Sequence, residues 1–555
     1  MRSATAPTAQ PSLPPAGGDS TMSHRQILEA MSGLMLGMFV AILSSTVVST
    51  SLPRIISDLG GSQSAYTWVV TSTLLALTVS TPVWGKLSDL FDRKLLVQTG
   101  LVLYVLGSIL AGAAQSTSWL IACRVIQGIG VGGLTALVQV ILSDLVSPRE
   151  RGRYSGYLGA VFGVGTVAGP LLGGVVTDAF SWRACFYVGV PFSIAALILL
   201  QRTLKLPKRE RGEVHMDFIG ALLIAGSVSS LLIWVSLASH QFAWISWQTA
   251  VLVPLGILLA VAAVVQERHA RQPLIPTHLF GERTVVLSVI ASIAVGIAMF
   301  GSTVFLSQYL QLARGKTPTE SGLLSIPMVI GLFLASTIIG RRVSSTGRYK
   351  KWMMTGAALL TLGLALMGTL DETTSLPELG VFMAIIGAGL GMVMQNLVLI
   401  VQNAVPQHDM GSGSSLVAFF RSLGGATGVS VLGAVLASRT SSTIADGFQH
   451  AGVATSGTTS SLDSGSVPDL SSLSAGARGI VEHAYGVGVG EVFLIAAPLA
   501  AIAFVAIALL KEKPLGTKSG IEIVSGGIEG EIDLELDATG DTDRSRTGEP
   551  AGATA

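Results

Sequence analysis

A series of uncharged apolar stretches limits what this chain can fold into. Five of them contain almost no charged residue and approach the roughly 20 residues that an α-helix needs to cross a bilayer core: 95–114, 184–200, 218–238, 249–265 and 491–510. Half of the 555 residues are hydrophobic and 12% are charged, whereas about a quarter of an average soluble protein is charged. The sequence therefore predicts an all-α integral membrane protein.

The same apolar pattern predicts fourteen membrane-spanning helices. Their expected bounds are 27–50, 65–86, 95–114, 118–144, 154–177, 184–203, 218–238, 247–266, 284–310, 320–341, 352–370, 377–403, 411–437 and 491–511. Lys and Arg are concentrated in every second short loop, as in 86–94, 149–153 and 341–351. Short basic loops remain on the cytoplasmic side. Both termini are therefore expected in the cytoplasm.

The composition excludes several other classes of protein. The formal net charge of +1 gives no reason to expect a nucleic-acid partner. The two cysteines, Cys123 and Cys185, fall in predicted membrane helices and suggest neither a disulfide framework nor a metal site. No G-x-x-x-x-G-K-[ST] motif is present, so we expect neither ATP hydrolysis nor a cofactor. Transport would then depend on an ion gradient or run downhill, and the chain is not expected to be an enzyme.

Glycine patterns show that one half of the sequence is a diverged copy of the other. The stretch "GVGTVAGPLLGG" (163–174) is matched by "GGATGVSVLG" (424–433), and "QGIGVGG" (127–133) by "IGAGLGM" (386–392). Gly85 and Arg93 match Gly340 and Arg348, and all of these offsets lie between 255 and 259. Parallel repeats of this kind typify one large class of transporters, with the substrate site near the midplane between the halves.

The repeat divides the chain into five predicted parts. Residues 25–204 and 284–511 form two six-helix bundles, the second of which includes an outer loop at 438–490. A linker, 205–283, contains an inserted hairpin of helices 7 and 8. A disordered N-terminal tail covers 1–24, and an acidic tail covers 512–555. The acidic tail is read as a solvated end, with a docking segment as the alternative.

The loop "GKLSDLFDRK" (85–94) suggests a conformational latch at the cytoplasmic end of helix 2. Gly85 would let a neighbouring helix approach closely. Asp89 could lie at a helix N-terminus or pair with an arginine, and Arg93 is the charged partner within the motif. The alternative is a basic loop that only sets the orientation of the chain.

Arg124 lies inside predicted helix 4, with Gln127 three residues later on nearly the same face. An arginine near the bilayer centre costs roughly 2.5–3.5 kcal/mol on insertion scales, so it should face the bundle interior and have a partner. Arg124 and Gln127 therefore predict an intramembrane polar network, and snorkelling to the outer interface is the alternative. Arg421, the second intramembrane arginine, is expected to be structural.

The glycines of helix 5 recur every four residues and leave one face of the helix bare. This stripe comprises Gly165, Gly169, Gly173 and the adjoining Gly174, with Pro170 inside it. Small residues at this spacing let membrane helices pack closely. Gly424 and Gly428 would provide the complementary surface on helix 13, which places the seam between the halves there. Ordinary packing without a moving part is the alternative.

Four of these motifs together resemble the major facilitator superfamily, in its 14-helix drug:proton antiporter branch. The resemblance covers residues 25–511 and rests on "GKLSDLFDRK", "RVIQGIGVGG", the antiporter motif "GVGTVAGPLLGG" and "WRACFYVGVPF" (182–192). It implies alternating access in the plasma membrane of a bacterium, a central cavity lined by helices 1, 4, 9 and 12, and proton-coupled multidrug efflux. It also implies that small amphipathic substrates, protons and the bilayer are the partners of a monomeric chain.

The cavity and the proton site are assigned with less support from the residues. The apolar positions expected to line the cavity, together with one serine, are Met35, Met38, Ser44, Met299, Phe300, Met392 and Met394. The family's helix 1 carries an Asp and an Asn where this chain has Ser44 and Ser49. Glu29, Asp144 and Asp178 remain as proton candidates. Asp92 also departs from the family motif, which has Gly there.

The sequence thus favours an exporter of hydrophobic or cationic small molecules, such as drugs, antibiotics, dyes or a self-made metabolite, in exchange for protons. Two alternatives remain open. The same fold could move lipids or lipid-linked products, in keeping with the sparse deep charge. The chain could also be a membrane sensor or scaffold that transports nothing and acts through its outer loop or acidic tail.

Overall fold

The computed structural model describes residues 24–60, 63–204, 217–238, 242–270, 272–406, 409–450 and 475–516. The predicted tails therefore lie largely outside the described residues, as do the first part of the linker and 451–474. The α-helices of the described part, in chain order, are α1 (His24–Asp58), α2 (Gln63–Leu90), α3 (Arg93–Gly112), α4 (Thr117–Leu145), α5 (Pro148–Ala179), α6 (Trp182–Tyr187), α7 (Gly189–Thr203), α8 (Phe218–Leu237), α9 (Trp247–His269), α10 (Arg283–Gln308), α11 (Pro318–Leu324), α12 (Ile326–Thr346), α13 (Lys350–Met367), α14 (Leu376–Ala404), α15 (Met410–His450) and α16 (Ala475–Leu509).

The number of membrane spans is close to the fourteen predicted from the sequence. Thirteen helical segments of the described chain are long and apolar enough to cross a bilayer. The remaining predicted span corresponds to α13, an 18-residue helix that begins with two lysines. The sixth and tenth predicted spans each consist of two helices. In the sixth, α6 and α7 meet at Val188, and in the tenth, α11 ends just before Ser325 and α12 begins just after it. The span of α10 continues as a π-helical turn, Tyr309–Ala313.

The glycine contacts reproduce the repeat in three dimensions. Gly128 of α4 packs against the backbone of Thr73 in α2, and its counterpart Gly387 of α14 packs against the backbone of Met328 in α12. The two glycines, and the two residues that they contact, are therefore each separated by one of the offsets found in the sequence. Gly130 and Gly389 likewise fit against α3 and α13 at Gly100 and Gly356. Residues 24–204 and 283–516 accordingly contain two bundles of the same internal design.

The two bundles meet along two pairs of helices. In one, α5 packs against α12, and in the other α2 packs against α15. Gly156, Gly159 and Gly163 of α5 face Thr337, Leu332 and Val329 of α12. The inserted hairpin of α8 and α9 flanks the second pair, where Val228 and Leu232 of α8 form a cluster with Phe419.

We call the end of the bundle that carries the α2–α3 and α4–α5 turns the inner end, and the opposite end the outer end. Two residues at repeat-related turns of the inner end differ in their backbone conformation. Asp92 has φ −60° and ψ 116° and caps α3 by accepting bonds from Lys94 N and Leu95 N. Gly347 has φ +71° and ends α12 in the left-handed conformation that favours glycine. The backbone at 92 therefore does not need the glycine of the family motif.

The predicted outer loop at 438–490 is too long. Helix α15 continues to His450, and α16 begins at Ala475, so only 451–474 remains between them. The two extensions pack on each other through a small apolar cluster of Ile444, Phe448, Val481 and Ala484. These residues recur at helical spacing among Ser, Thr, Ala and Gly, whose composition suggested a loop.

Candidate functional site

A carboxylate of one half caps a helix of the other half at the inner end. Asp89, at the end of α2, accepts hydrogen bonds from Gly411 N (3.0 Å), Ser412 N (3.0 Å) and Ser412 Oγ (2.9 Å). Both backbone donors belong to the first turn of α15, whose N–H groups have no partner within the helix. The negative charge also complements the positive end of the helix dipole. Asp89 therefore fastens α2 to α15.

Arg93 holds this carboxylate from the other side. It lies 3.8 Å from Asp89, donates to Ser88 O at 3.0 Å, and forms an ion pair with Asp144 at the end of α4. All three charged side chains are largely buried. The latch residues of the sequence are thus brought together, and Asp144, which the sequence offered only as a proton candidate, joins them.

Gly85 explains how α2 and α15 come this close. A side chain at residue 85 would overlap Ser415 of α15, and one at Gly411 would crowd Asp89 and Ser88. The bare positions thus lie on both helices, one opposite the other. Without them, Asp89 could not reach the backbone of α15.

Amide side chains form a second group of contacts between the halves. Gln402 of α14 accepts from Arg151 of α5, donates to Gln139 O of α4 (3.2 Å), and donates to Ser414 Oγ (2.6 Å). Deeper in the bundle, Gln139 Nε2 donates to Gln395 Oε1 at 2.8 Å. We refer to Asp89, Arg93, Gln139, Asp144, Arg151, Gln395, Gln402, Gly411 and Ser412 as the inner contact layer.

The sequence did not single out six members of this layer. Arg151 lies in a basic loop that the sequence linked only to the orientation of the chain, and Gln139, Gln395, Gln402, Gly411 and Ser412 carried no assignment. A signal was present, because amide side chains in apolar helices have to find partners. The sequence could not show that those partners lie in the opposite half.

The segment that follows α16 crosses the inner end. Glu512 Oε1 accepts from Tyr349 N (2.8 Å) and Lys350 N (3.1 Å), where α13 begins. Lys513 Nζ lies 2.7 Å from Glu282 Oε1, and this bond lowers the pKa of the Glu282 carboxyl. Gly516 O then accepts from Arg149 N (3.2 Å) at the start of α5. Residues 511–516, which we call the strap, thus connect the second half to the first.

Arg124 and Gln127 belong to one buried network within the first half. Arg124 donates to Gln127 Oε1 (3.1 Å) and to Val69 O (3.4 Å), and Gln127 Nε2 donates to Ser108 Oγ (2.7 Å). The hydroxyl of Tyr104 lies beside Ser108 and Ser44. Arg124 therefore faces the bundle interior and does not snorkel to the interface.

The glycine stripe of α5 does not face the stripe of α15. Gly165 and Gly169 pack against Ile42 and Thr46 of α1, within the first half. The backbone O of Gly165 also accepts from Thr46 Oγ1 at 3.2 Å. Gly173 accepts from Ser51, also of α1, at 3.4 Å, whereas Gly174 approaches Thr319 near the outer end. The side chain of Pro170 lies outside the described residues.

The matching stripe behaves in the same way in the second half. Gly424 and Gly428 pack against Ile293 and Ile297 of α10, the counterpart of α1. The expected seam between the two stripes is therefore wrong. Periodicity shows which face of a helix is bare but not which helix covers it. Here Gly165 and Gly169 are covered by α1, and Gly424 and Gly428 by α10, in each case within the same half.

The structure does not collect the predicted cavity residues around one space. Met35 and Met38 belong to the core of the first half, and Met299 to that of the second. Phe300 packs on Gly425, and Met392 packs on Gly356 of α13. Met394 lies with Gln395, Gly159 and Phe162 around a small recess between α5, α12 and α14. Ser44 is in the Arg124 network.

The three proton candidates differ in position. Glu29 is half-exposed and pairs with Arg25 at 3.0 Å, one helical turn away. Asp144 is paired with Arg93 in the inner contact layer. The side chain of Asp178 lies outside the described residues. Of the two candidates whose side chains are described, only Asp144 belongs to the inner contact layer, which joins the halves.

Comparisons with known proteins agree with this architecture. The family model described as Major Facilitator Superfamily matches residues 34–429. An uncharacterised MFS-type transporter of Mycobacterium tuberculosis is 36% identical over 521 residues, which cover 93% of this chain and 74% of the relative. The multidrug transporter protein MdtP of Bacillus subtilis is 34% identical over 428 residues, covering 77% and 78%.

A solved structure agrees at the level of the fold. The proton:xylose symporter XylE superposes with a TM-score of 0.60 at 14% identity, covering 90% of this chain and 99% of that one. The described part has the same all-helical build of two related bundles, and such membrane transporters are not enzymes. The chain therefore belongs to the Major Facilitator Superfamily.

Proposed function

We propose that this chain exports amphipathic small molecules, such as drugs, antibiotics, dyes or metabolites, in exchange for protons. The observation that carries the proposal is the inner contact layer. Its polar contacts between the halves are hydrogen bonds, such as Asp89 with Ser412 and Arg151 with Gln402. Each of these groups can bind water once the halves separate. The layer can therefore open and close, as alternating access requires.

Export as the direction of transport draws on the relatives. Two proteins of Bacillus subtilis bear the names multidrug transporter protein and multidrug resistance protein, at 34% and 32% identity. We place the chain as a monomer in a bacterial plasma membrane, with the inner end and both termini in the cytoplasm. The inner contact layer then closes the cytoplasmic side of the pathway.

We further propose that Asp144 exchanges the proton. It is paired with Arg93, and Arg93 also faces Asp89, which caps α15. Protonation of Asp144 would release Arg93 and so loosen the contact between α2 and α15. One charge moving across about 100 mV releases about 2.3 kcal/mol, enough for a substrate gradient of roughly fifty-fold.

Everted membrane vesicles test this function. We expect energised vesicles that contain the chain to accumulate a fluorescent amphipathic dye and to lose it when an uncoupler is added. The variant Asp144→Asn should abolish the response to the uncoupler, while Glu29→Gln should behave like the parent chain. Accumulation that survives the uncoupler would contradict proton coupling.

The same vesicles separate the alternative functions. Movement of a fluorescent phospholipid without any movement of dye would favour a lipid transporter. If neither moves, and Arg124→Ala behaves like the parent, the chain does not transport, and a sensor or scaffold becomes the better explanation.

A further inference from the structure

A groove opens between α13 and α16 at the inner end of the protein. Its volume is about 550 Å³, within the range of small-molecule sites. The lining comes from the beginning of α13, the end of α16 and the strap, and it includes Lys350, Lys351, Met354, Ala358, Phe504 and Glu512. We call this space the inner groove. None of its lining residues belongs to the inner contact layer, so the groove is distinct from that layer.

Two ammonium groups of the inner groove are left without a partner. Lys350 and Lys351 begin α13, and in the described part of the chain neither side chain has a hydrogen bond or an ion pair. Lys513 of the strap, by contrast, is paired with Glu282 at 2.7 Å. The carboxylate of the lining, Glu512, already accepts from two backbone N–H groups where α13 begins. The groove therefore carries a surplus of positive charge.

The remaining lining of the inner groove is largely apolar and leads toward the bilayer. Met354 and Ala358 follow the lysines by one and two helical turns, so this wall runs about 10 Å along α13. Phe504 adds an aromatic side chain from α16. Leu362 is exposed one turn further along α13, and Val505 is exposed beside Phe504. The groove thus continues into the apolar surface that acyl chains cover.

We propose that the inner groove binds one anionic phospholipid, with its phosphodiester on Lys350 and Lys351 and an acyl chain along the apolar wall. Basic pockets between membrane helices on the cytoplasmic side suit such headgroups. A zwitterionic lipid would bring a second positive charge close to the lysines, and a free phosphate would leave the apolar wall uncovered. An amphipathic cation would meet only the Glu512 carboxylate, which already serves two N–H groups.

A second basic pair at the inner end lacks these features. Arg341 and Arg342 lie near the end of α12, and both are exposed. Neither lines the inner groove. Basic residues in such positions orient a chain without selecting a particular lipid. Lys350 and Lys351 differ because they adjoin a cavity that can take up an acyl chain, and the arginine pair provides a control of matched charge.

Two phospholipids with the same acyl chains test the site. The full chain is purified in detergent and titrated with dioleoylphosphatidylglycerol or dioleoylphosphatidylcholine, and native mass spectrometry counts the lipids that stay bound. We expect the parent chain to hold one phosphatidylglycerol about tenfold to thirtyfold more tightly than phosphatidylcholine. Lys350→Gln combined with Lys351→Gln should abolish this preference, and Lys350→Arg combined with Lys351→Arg should keep it.

Two further variants separate charge from packing. Arg341→Gln combined with Arg342→Gln removes the same charge from the inner end and should leave the preference unchanged. Phe504→Ala shortens the apolar wall and should weaken the binding of both lipids by a similar factor. Phosphatidylglycerol should also raise the melting temperature of the parent chain, because a lipid in the groove contacts α13, α16 and the strap together. The variant without the two lysines should lose this gain.

Equal binding of the two lipids by the parent chain would overturn the lipid site. So would an equal loss of preference in the lysine and arginine pairs, which would indicate diffuse surface charge. Oleate that competes as well as phosphatidylglycerol would identify a fatty acid as the occupant and contradict a phospholipid site. Binding is measured on the purified chain without a gradient, so a lack of energised export in vesicles would contradict the proposed function and leave this site standing.

Discussion

The Asp89 carboxylate accepts hydrogen bonds from both the backbone N–H and the hydroxyl of Ser412, at 3.0 and 2.9 Å, although 323 positions separate the two residues. The donor N–H lies in the first turn of α15, so Asp89 acts as a cap supplied by another helix. A cap of this kind depends on the relative position of α2 and α15. The stability of α15's first turn is thereby linked to closure of the inner end.

We expect Asp89→Ala to open the inner end more often. Loss of a capping side chain costs about 0.5–2 kcal/mol, which would raise the open population by roughly two- to thirtyfold. The measurement is the rate at which a maleimide labels Ser415→Cys, in a chain whose Cys123 and Cys185 are replaced by Ala. Asp89→Asn should label at an intermediate rate, because the amide oxygen still accepts a hydrogen bond.

Asp92→Ala provides the matched control. Asp92 also caps a helix through two backbone N–H groups, but that helix, α3, is in its own half. Its loss should leave the labelling rate at 415 unchanged. If Asp89→Ala and Asp92→Ala accelerate labelling equally, the Asp89 cap of α15 is not linked to closure of the inner end.

The Arg124 network should contribute to the stability of the first half. In Gln127→Leu, the guanidinium of Arg124 loses its side-chain acceptor, and Ser108 loses the bond from Gln127. A hydrogen bond to a charged group is worth about 1.5–3 kcal/mol, and we expect the free energy of unfolding to fall by that amount. Unfolding in mixed micelles at increasing dodecyl sulfate measures it.

Gln98→Leu is the control for that measurement. Gln98 donates to Gln201 at 2.9 Å, but both side chains are exposed. Because that bond lies outside the packed interior of the bundle, the substitution should cost little. If Gln98→Leu lowers the free energy of unfolding as much as Gln127→Leu does, the buried Arg124 network stabilises the protein no more than an exposed hydrogen bond.

Packing separates two glycines of the antiporter motif. A methyl group at Gly169 would overlap Thr46 Oγ1 and Cβ, whereas one at Gly174 would come no closer than 3.3 Å to Thr319 Oγ1. We expect Gly169→Ala to lower the free energy of unfolding by about 1–3 kcal/mol through overpacking. Gly174→Ala should remain near the parent value. Thermal unfolding of the purified proteins compares them, and similar losses at both positions would contradict the packing shown here.

The repeat and the membrane spans could be predicted from the sequence, because both give local or periodic signals. Gly128 and Gly387 could be matched by offset alone, and their contacts with α2 and α12 follow the same offset. The partner of the glycine stripe could not be predicted, since a bare face fits any helix. Bonds such as Gln139 with Gln395 join residues 256 positions apart, and no pattern in either helix encodes that pairing.

The extensions of α15 and α16 at the outer end were not predicted from the sequence, for a different reason. Ile444 and Phe448 are four residues apart, but the stretch around them is rich in Ser, Ala and Gly. Such a helix is stabilised mainly by the cluster it forms with Val481 and Ala484. Composition alone therefore suggested a loop.

The strap predicts that two truncations only six residues apart behave differently. Removal of 517–555 leaves every contact of the strap in place, and we expect transport and thermal stability close to those of the full chain. Removal of 511–555 also takes away Glu512, which accepts from Tyr349 N and Lys350 N where α13 begins. It also deletes Gly516, whose backbone joins Arg149 and Asn403. The shorter chain should unfold at lower temperature and transport more slowly.

A pair of point variants locates the effect within the strap. Glu512→Ala removes the acceptor for the N–H groups of Tyr349 and Lys350, where α13 begins, at a cost of about 0.5–2 kcal/mol for a lost cap. Lys511→Ala changes the neighbouring residue, whose side chain has no hydrogen bond or ion pair within the described part of the chain. We therefore expect only the first to lower the melting temperature. If both truncations and both point variants match the full chain, the strap is a passive end of α16, and closure of the inner end depends on the helix contacts alone.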